Sequence, residues 1–168
     1  VFVRVKNIKG NRYAYLVENT WQAKGSRQTV KAYLGKVLTP AAEAAHPVPD
    51  ISTHTYPDAV LALAAWTLKN HGFAETPEGH RKDNAHVKLS EKAIRHKTKN
   101  AALELNEGYL CDHTLNQLLN FVGEGTREEE VGQRLANAML EAGISVPQET
   151  FVQLFNKIFK PLKEESPL

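Results

Sequence analysis

The chain of 168 residues carries 21 Lys and Arg against 19 Asp and Glu, a formal net charge of +2, and 42% of its residues are hydrophobic. That length suits one domain, or a small module joined to a larger one, and the apolar fraction excludes wholesale disorder. The longest strongly apolar run, residues 59–66, is far short of the roughly 20 residues a membrane helix needs. The single cysteine, Cys111, excludes an intrachain disulfide framework and a Cys-based zinc site, and it fits a reducing, cytoplasmic setting. The residues after Val1 form no cleavable signal pattern.

The small net charge conceals a polarity along the chain. Residues 1–40 hold eight Lys/Arg and one acid, Glu18, for +7; residues 41–79 hold Lys69 against five acids, for -4. Residues 80–99 return to +5, with His80, His86 and His96 interspersed, and residues 100–168 sum to -6. Blocks of this kind speak to partners rather than to fold.

The first block reads as a three-stranded β-meander over residues 2–8, 12–21 and 27–36. Lys9-Gly10-Asn11 and Ala23-Lys24-Gly25-Ser26 supply the turns, and Gly35 and Pro40 end regular pairing. Strict alternation gives one face Val1, Val3, Val5, Ala14, Leu16, Val30, Ala32 and Leu34, which must pack on something. The other face gathers Phe2, Arg4, Lys6, Tyr13, Tyr15, Val17, Trp21, Arg27, Thr29, Lys31 and Tyr33 without an acid.

Residues 40–55, with Pro40, Pro47 and Pro49, read as a stiff linker. A helix over residues 57–70 follows, apolar nearly all round, and the apolar face of the meander is the expected surface beneath it. Residues 75–86 have the composition of an exposed loop. Ser90 caps a predicted helix over 91–105, whose exposed face carries Lys92, Arg95, His96 and Lys99. Asp112 caps the next, to Val122; Thr126 and Glu129 form a capping box for a third, to Ala142. Pro147 opens a last helix with Phe151, Leu154, Phe155, Ile158 and Phe159 as its core stripe. The expected fold is therefore α+β: an N-terminal three-stranded antiparallel sheet packed on a helix (residues 1–72), a polar loop (73–87) and a helical part (88–168).

Cations that replace counterions at phosphates, interleaved with flat rings that contact bases or sugars, are what nucleic-acid binding requires. Arg4, Lys6, Arg12, Lys24, Arg27 and Lys31 are candidate phosphate contacts, and Tyr13, Tyr15, Trp21 and Tyr33 candidate base or sugar contacts. Arg81, Lys82, Lys88, Lys92, Arg95 and Lys99 form a secondary basic patch. The bland counterpart is a sheet with aromatic cross-strand pairs and a solvated basic exterior. DNA and structured RNA both remain open.

Catalytic signals are weak. Cys111-Asp112-His113 places three reactive types together, yet sequence neighbours seldom form a catalytic dyad, and a small buried cysteine explains the tripeptide. The seven histidines have no metal-ligand spacing, and Gly123-x-Gly125 lacks the rest of a nucleotide-binding loop. No enzyme activity, cofactor or metal is expected. The competing reading is a protein-interaction adaptor or assembly subunit, using the acidic helices and the stripe from Phe151 to Phe159, with a protein partner or a second copy bound there.

Residues 2–37 resemble the N-terminal β-strand segment of some DDE-class insertion-sequence transposases. The likeness lies in Tyr15, Leu16, Val17 and Glu18, then Arg27, Gln28 and Val30, then Leu34 and Gly35. Small uncharacterised archaeal proteins are similar in the same region. The resemblance covers about a fifth of the chain and implies a nucleic-acid-associated module. It brings no catalytic carboxylates, because the rest of the chain has no matching core.

Overall fold

The computed structural model describes residues 1–161. Nine strands form one mixed sheet: β1 (Phe2–Ile8), β2 (Asn11–Gln22), β3 (Gly25–Leu38), β4 (Ala74–Thr76), β5 (Gly79–Lys82), β6 (Ala85–Lys88), β7 (Ala93–His96), β8 (Lys99–Leu105) and β9 (Gly108–Leu110). Their order is β1-β2-β3-β8-β7-β6-β5-β4, with β9 also paired to β8. All pairings are antiparallel except that of β3 with β8, where Lys36, Val37 and Leu38 lie beside Ala101, Ala102 and Leu103. Four helices accompany the sheet: α1 (Tyr56–Asn70), α2 (Asp112–Leu119), α3 (Glu128–Glu141) and α4 (Gln148–Ile158). A two-residue strand, β10 (Glu124–Gly125), pairs in parallel with β11 (Lys160–Pro161).

This architecture corrects the expected fold. The three N-terminal strands are not a separate small sheet but one end of the nine-stranded one, and the chain does not become helical after them. The predicted loop over 75–86 takes in most of β4, all of β5 and the first half of β6, and the predicted helix over 91–105 is β7, a turn and β8. Ser90 caps no such helix; it sits in a single 3-10 turn. The physical reason is visible locally. Ala101, Leu103 and Leu105 enter one core while Ala102 between them enters a separate cluster on the other face, the alternation of a strand rather than a helix. Asp83, Lys97 and Asn106 adopt positive φ (51°, 57° and 53°) in two-residue turns that return the chain antiparallel.

Tertiary packing follows the two faces. Ala85, Val87, Ile94, Ala101, Leu103 and Leu105 project from one face into a core with Leu63, Leu68, Leu115, Leu118, Leu135 and Leu154 of the four helices. α1 begins where Thr55 Oγ1 accepts the Asp58 amide at 3.3 Å, and it buries Tyr56, Ala59, Val60, Leu63, Ala64, Thr67 and Leu68 on this core. So α1 does not cover the apolar face of the meander. That face, through Val3, Val5, Ala14 and Leu34, meets Val37, Ala102, Tyr109 and Cys111 in a second, small cluster.

Helix starts also differ from expectation. Cys111, not Asp112, occupies the N-cap of α2, and α3 begins after Arg127 with no side-chain cap. Pro147 is the N-cap of α4, one position before its first turn. Asp112 is occupied elsewhere: its Oδ1 accepts the Ile94 amide at 2.8 Å, and both oxygens accept Arg95 Nη1, at 2.8 and 2.7 Å. Asp112→Ala would strip the partners from an amide and a half-buried guanidinium. A loss of about 2 kcal/mol in urea unfolding is expected.

Candidate nucleic-acid interface

Two irregularities in β3 decide which side chains share a face. Opposite β2, the register steps from Ala14–Gly35 to Tyr15–Tyr33, and again from Leu16–Ala32 to Val17–Val30. Leu34 and Lys31 are the extra residues, as in β-bulges, and each resets the alternation. Strict period two therefore fails along β3. Tyr33 stays with Tyr15, whereas Val30 moves to the aromatic face and Arg27 and Thr29 move to the opposite one.

The face that results carries Phe2, Arg4, Lys6, Tyr13, Tyr15, Val17, Asn19, Trp21, Gln28, Val30, Tyr33 and Lys36, and the three strands place no carboxylate on it among the described residues. Tyr33 lies 5.3 Å from Tyr15 and 6.4 Å from Tyr13 between ring centroids, both tilted. Lys6 Nζ sits 5.2 Å from the centre of the Tyr15 ring, within cation–π range. Arg4 donates to Gln28 Oε1 across the strands. Burial, reinforced by the neighbouring phenols of Tyr15 and Tyr13, pushes the Tyr33 hydroxyl up, so it remains a neutral donor. Tyr33 is nonetheless half exposed, and its ring is accessible.

Two of the candidate cations are already engaged. Arg12 lies on the other face, paired with Glu104 and donating to Tyr109 Oη at 3.1 Å; its hydrogen bond to Glu104 raises its pKa further. Lys31, at the second bulge, is 2.8 Å from Glu18, and that hydrogen bond holds the Glu18 carboxyl below its ordinary value. Arg4, Lys6, Lys9, Lys24, Arg27 and Lys36 make no ion pair among the described residues. Lys36 and Lys9 were outside the predicted set. The signal for Lys36 was the Gly35 kink, which shifts it onto the tyrosine face.

Beyond the end of β1, opposite Val17, the β2–β3 hairpin continues as a free ribbon. Residues 19–27 are exposed throughout, and Trp21 is 87% exposed. A large aromatic ring left this open on a two-stranded arm is unusual for a residue that gains from burial.

The secondary patch behaves differently. It does join the same sheet, because β8 pairs with β3, but its members do not converge. Arg95 is held by Asp112, Lys82 by Glu43 at 3.1 Å and by the His71 carbonyl at 2.9 Å, and Arg81 lies 3.6 Å from Glu78. Lys92 donates to Asn116 Oδ1. Arg81 and Arg95 sit on the face opposite the tyrosines. Burial pushes the His80 pKa down, so it adds no charge at neutral pH. Three of the six members are thus held in ion pairs, and Lys88 and Lys99 make none among the described residues.

The remaining chemistry-bearing residues occupy structural positions. Cys111 is buried beside Thr114, and that burial pushes its thiol up, away from the reactive thiolate. Among the described residues, no three His, Cys, Asp or Glu side chains converge as metal ligands, and no helix is long and apolar enough to cross a membrane. The stripe of α4 is largely spent on the core: Leu154 and Phe155 are buried, and the Phe155 and Phe159 rings stack at 5.0 Å. Compared with protein-family models, with curated proteins and with solved structures, the chain found no match.

Proposed function

We infer that the protein binds nucleic acid, DNA or structured RNA, through the β1–β3 end of its sheet and without catalysing a reaction. The observation that carries this reading is one acid-free face on which Tyr13, Tyr15 and Tyr33 cluster beside Arg4, Lys6 and Lys36. Cations without carboxylate partners can displace counterions from phosphates, and ring faces at 5–6 Å spacing offer stacking surface for bases or sugars. The resemblance of residues 2–37 to a transposase strand segment supports the same class. The excess of +7 over residues 1–40, against -6 over residues 100–168, fits a molecule that presents one end to a polyanion.

Fluorescence anisotropy at low salt, with labelled duplex DNA, an RNA hairpin and single strands, tests the reading. Saturable binding to at least one, released by added salt, is expected. Absence of binding to all three overturns it.

A further inference from the structure

We propose that the free β2–β3 ribbon is a reading arm that seats in the major groove of duplex DNA. This rests on the nucleic-acid reading above and narrows it to one ligand and one groove. Five residue pairs, from Glu18–Thr29 to Gln22–Gly25, extend past the last residue of β1. At about 3.4 Å per residue they reach roughly 17 Å, more than the roughly 8.5 Å depth of the major groove. A two-stranded ribbon fits that groove, about 12 Å wide, but not a minor groove of about 6 Å. The deep, narrow major groove of A-form RNA excludes it as well.

The side chains on the arm match the task. At the base of the arm Glu18 is held by Lys31; beyond it, from Asn19 to Thr29, the sequence is Asn-Thr-Trp-Gln-Ala-Lys-Gly-Ser-Arg-Gln-Thr, with neither an acid nor an aliphatic side chain larger than alanine. Amides and guanidinium groups are the types that pair with purine edges in the major groove, and the Thr methyl suits the thymine methyl. Asn19 and Gln28 are already hydrogen bonded to each other at 3.3 Å, which fixes their orientation on one face. Arg27 and Thr20 lie on the other face, so both sides of the ribbon present readers. A hairpin with no third strand and no covering layer gains little stability of its own. Its length is therefore not explained by the core. The Tyr13–Tyr15–Tyr33 face, with Arg4 and Lys6, would then lie at the flanking backbone.

The test compares the full chain with a variant in which residues 20–27 are replaced by Asn-Gly, a two-residue turn that keeps the Asn19–Gln28 pair. The probes are a mixed-sequence DNA duplex and the matching RNA duplex. Dimethyl sulfate footprinting distinguishes guanine N7, in the major groove, from adenine N3, in the minor. Protection of N7, at least tenfold weaker DNA binding by the trimmed variant, and weaker binding of the RNA duplex are expected, with the melting temperature of the variant unchanged. DNA binding without N7 protection, or with equal affinity in the trimmed variant, overturns the arm assignment and leaves the nucleic-acid reading standing. Failure of the full chain to bind either duplex or single strands overturns both.

Discussion

Gly35→Ala is expected to lower the unfolding free energy by about 3 kcal/mol, combining the cost of an unfavourable backbone conformation with that of overpacking. Gly35 has a φ of 135°, a region that side chains other than glycine rarely adopt. A Cβ there would stand 2.5 Å from the Asn100 carbonyl oxygen and 2.7 Å from Ala101 Cα. Both obstacles are backbone of β8, so no side chain can rotate aside. The position is also where β3 bends past its first bulge to run parallel to β8, the junction joining the N-terminal ribbon to the rest of the sheet. Equilibrium urea unfolding measures the loss. Wild-type stability in this variant would mean that β3 and β8 do not approach as described. By contrast Gly10→Ala, in the β1–β2 turn, meets nothing within 4 Å and strains only the turn.

Replacing Arg4, Lys6, Lys24 and Arg27 together with alanine is expected to weaken nucleic-acid binding by about 10³-fold at 0.1 M salt. Each phosphate contact contributes about 0.9 to the log–log salt slope on B-DNA, hence about 0.9 decade between 1 M and 0.1 M. Four contacts give somewhat over three decades. The same variant is expected to melt within a few degrees of the wild type, because exposed substitutions of this kind each stay near 0.5 kcal/mol. None of the four side chains makes an ion pair among the described residues; the side-chain contacts given up are the Arg4–Gln28 hydrogen bond and the Lys6–Tyr15 cation–π contact. A large loss of stability with unchanged binding would assign these cations to the fold instead.

The N-terminal strands and α1 were legible because their signals are local. Lys9-Gly10 is a two-residue turn with both φ angles positive (51° and 80°), and Pro57 with Asp58 marks a helix start. Residues 75–105 were not legible as strands because each is short and its polar face is rich in Lys, Arg and His. Such composition suits a solvated helix equally well. The deciding evidence is tertiary: Val87, Ile94 and Leu103 are fully buried only because α1 and its neighbours lie over that face. Within the candidate site, Tyr13, Tyr15, Tyr33, Arg4 and Lys6 were grouped correctly by alternation. Arg27 and Lys31 were misplaced because a bulge adds one residue to one strand only, which no period in a single strand can register. Arg12 looked free because Glu104, its partner, lies 92 positions away in sequence.

In the proposed mode of binding, cations of the β1–β3 ribbon meet phosphates. The most direct measurement is the salt dependence of binding to one DNA duplex, taken side by side for the wild-type chain and the four-alanine variant. With about five phosphates neutralised, a wild-type log–log slope of roughly -4.5 is expected, flattening to about -1 in the variant. Equal slopes in the two proteins, or a wild-type slope near zero, would contradict it.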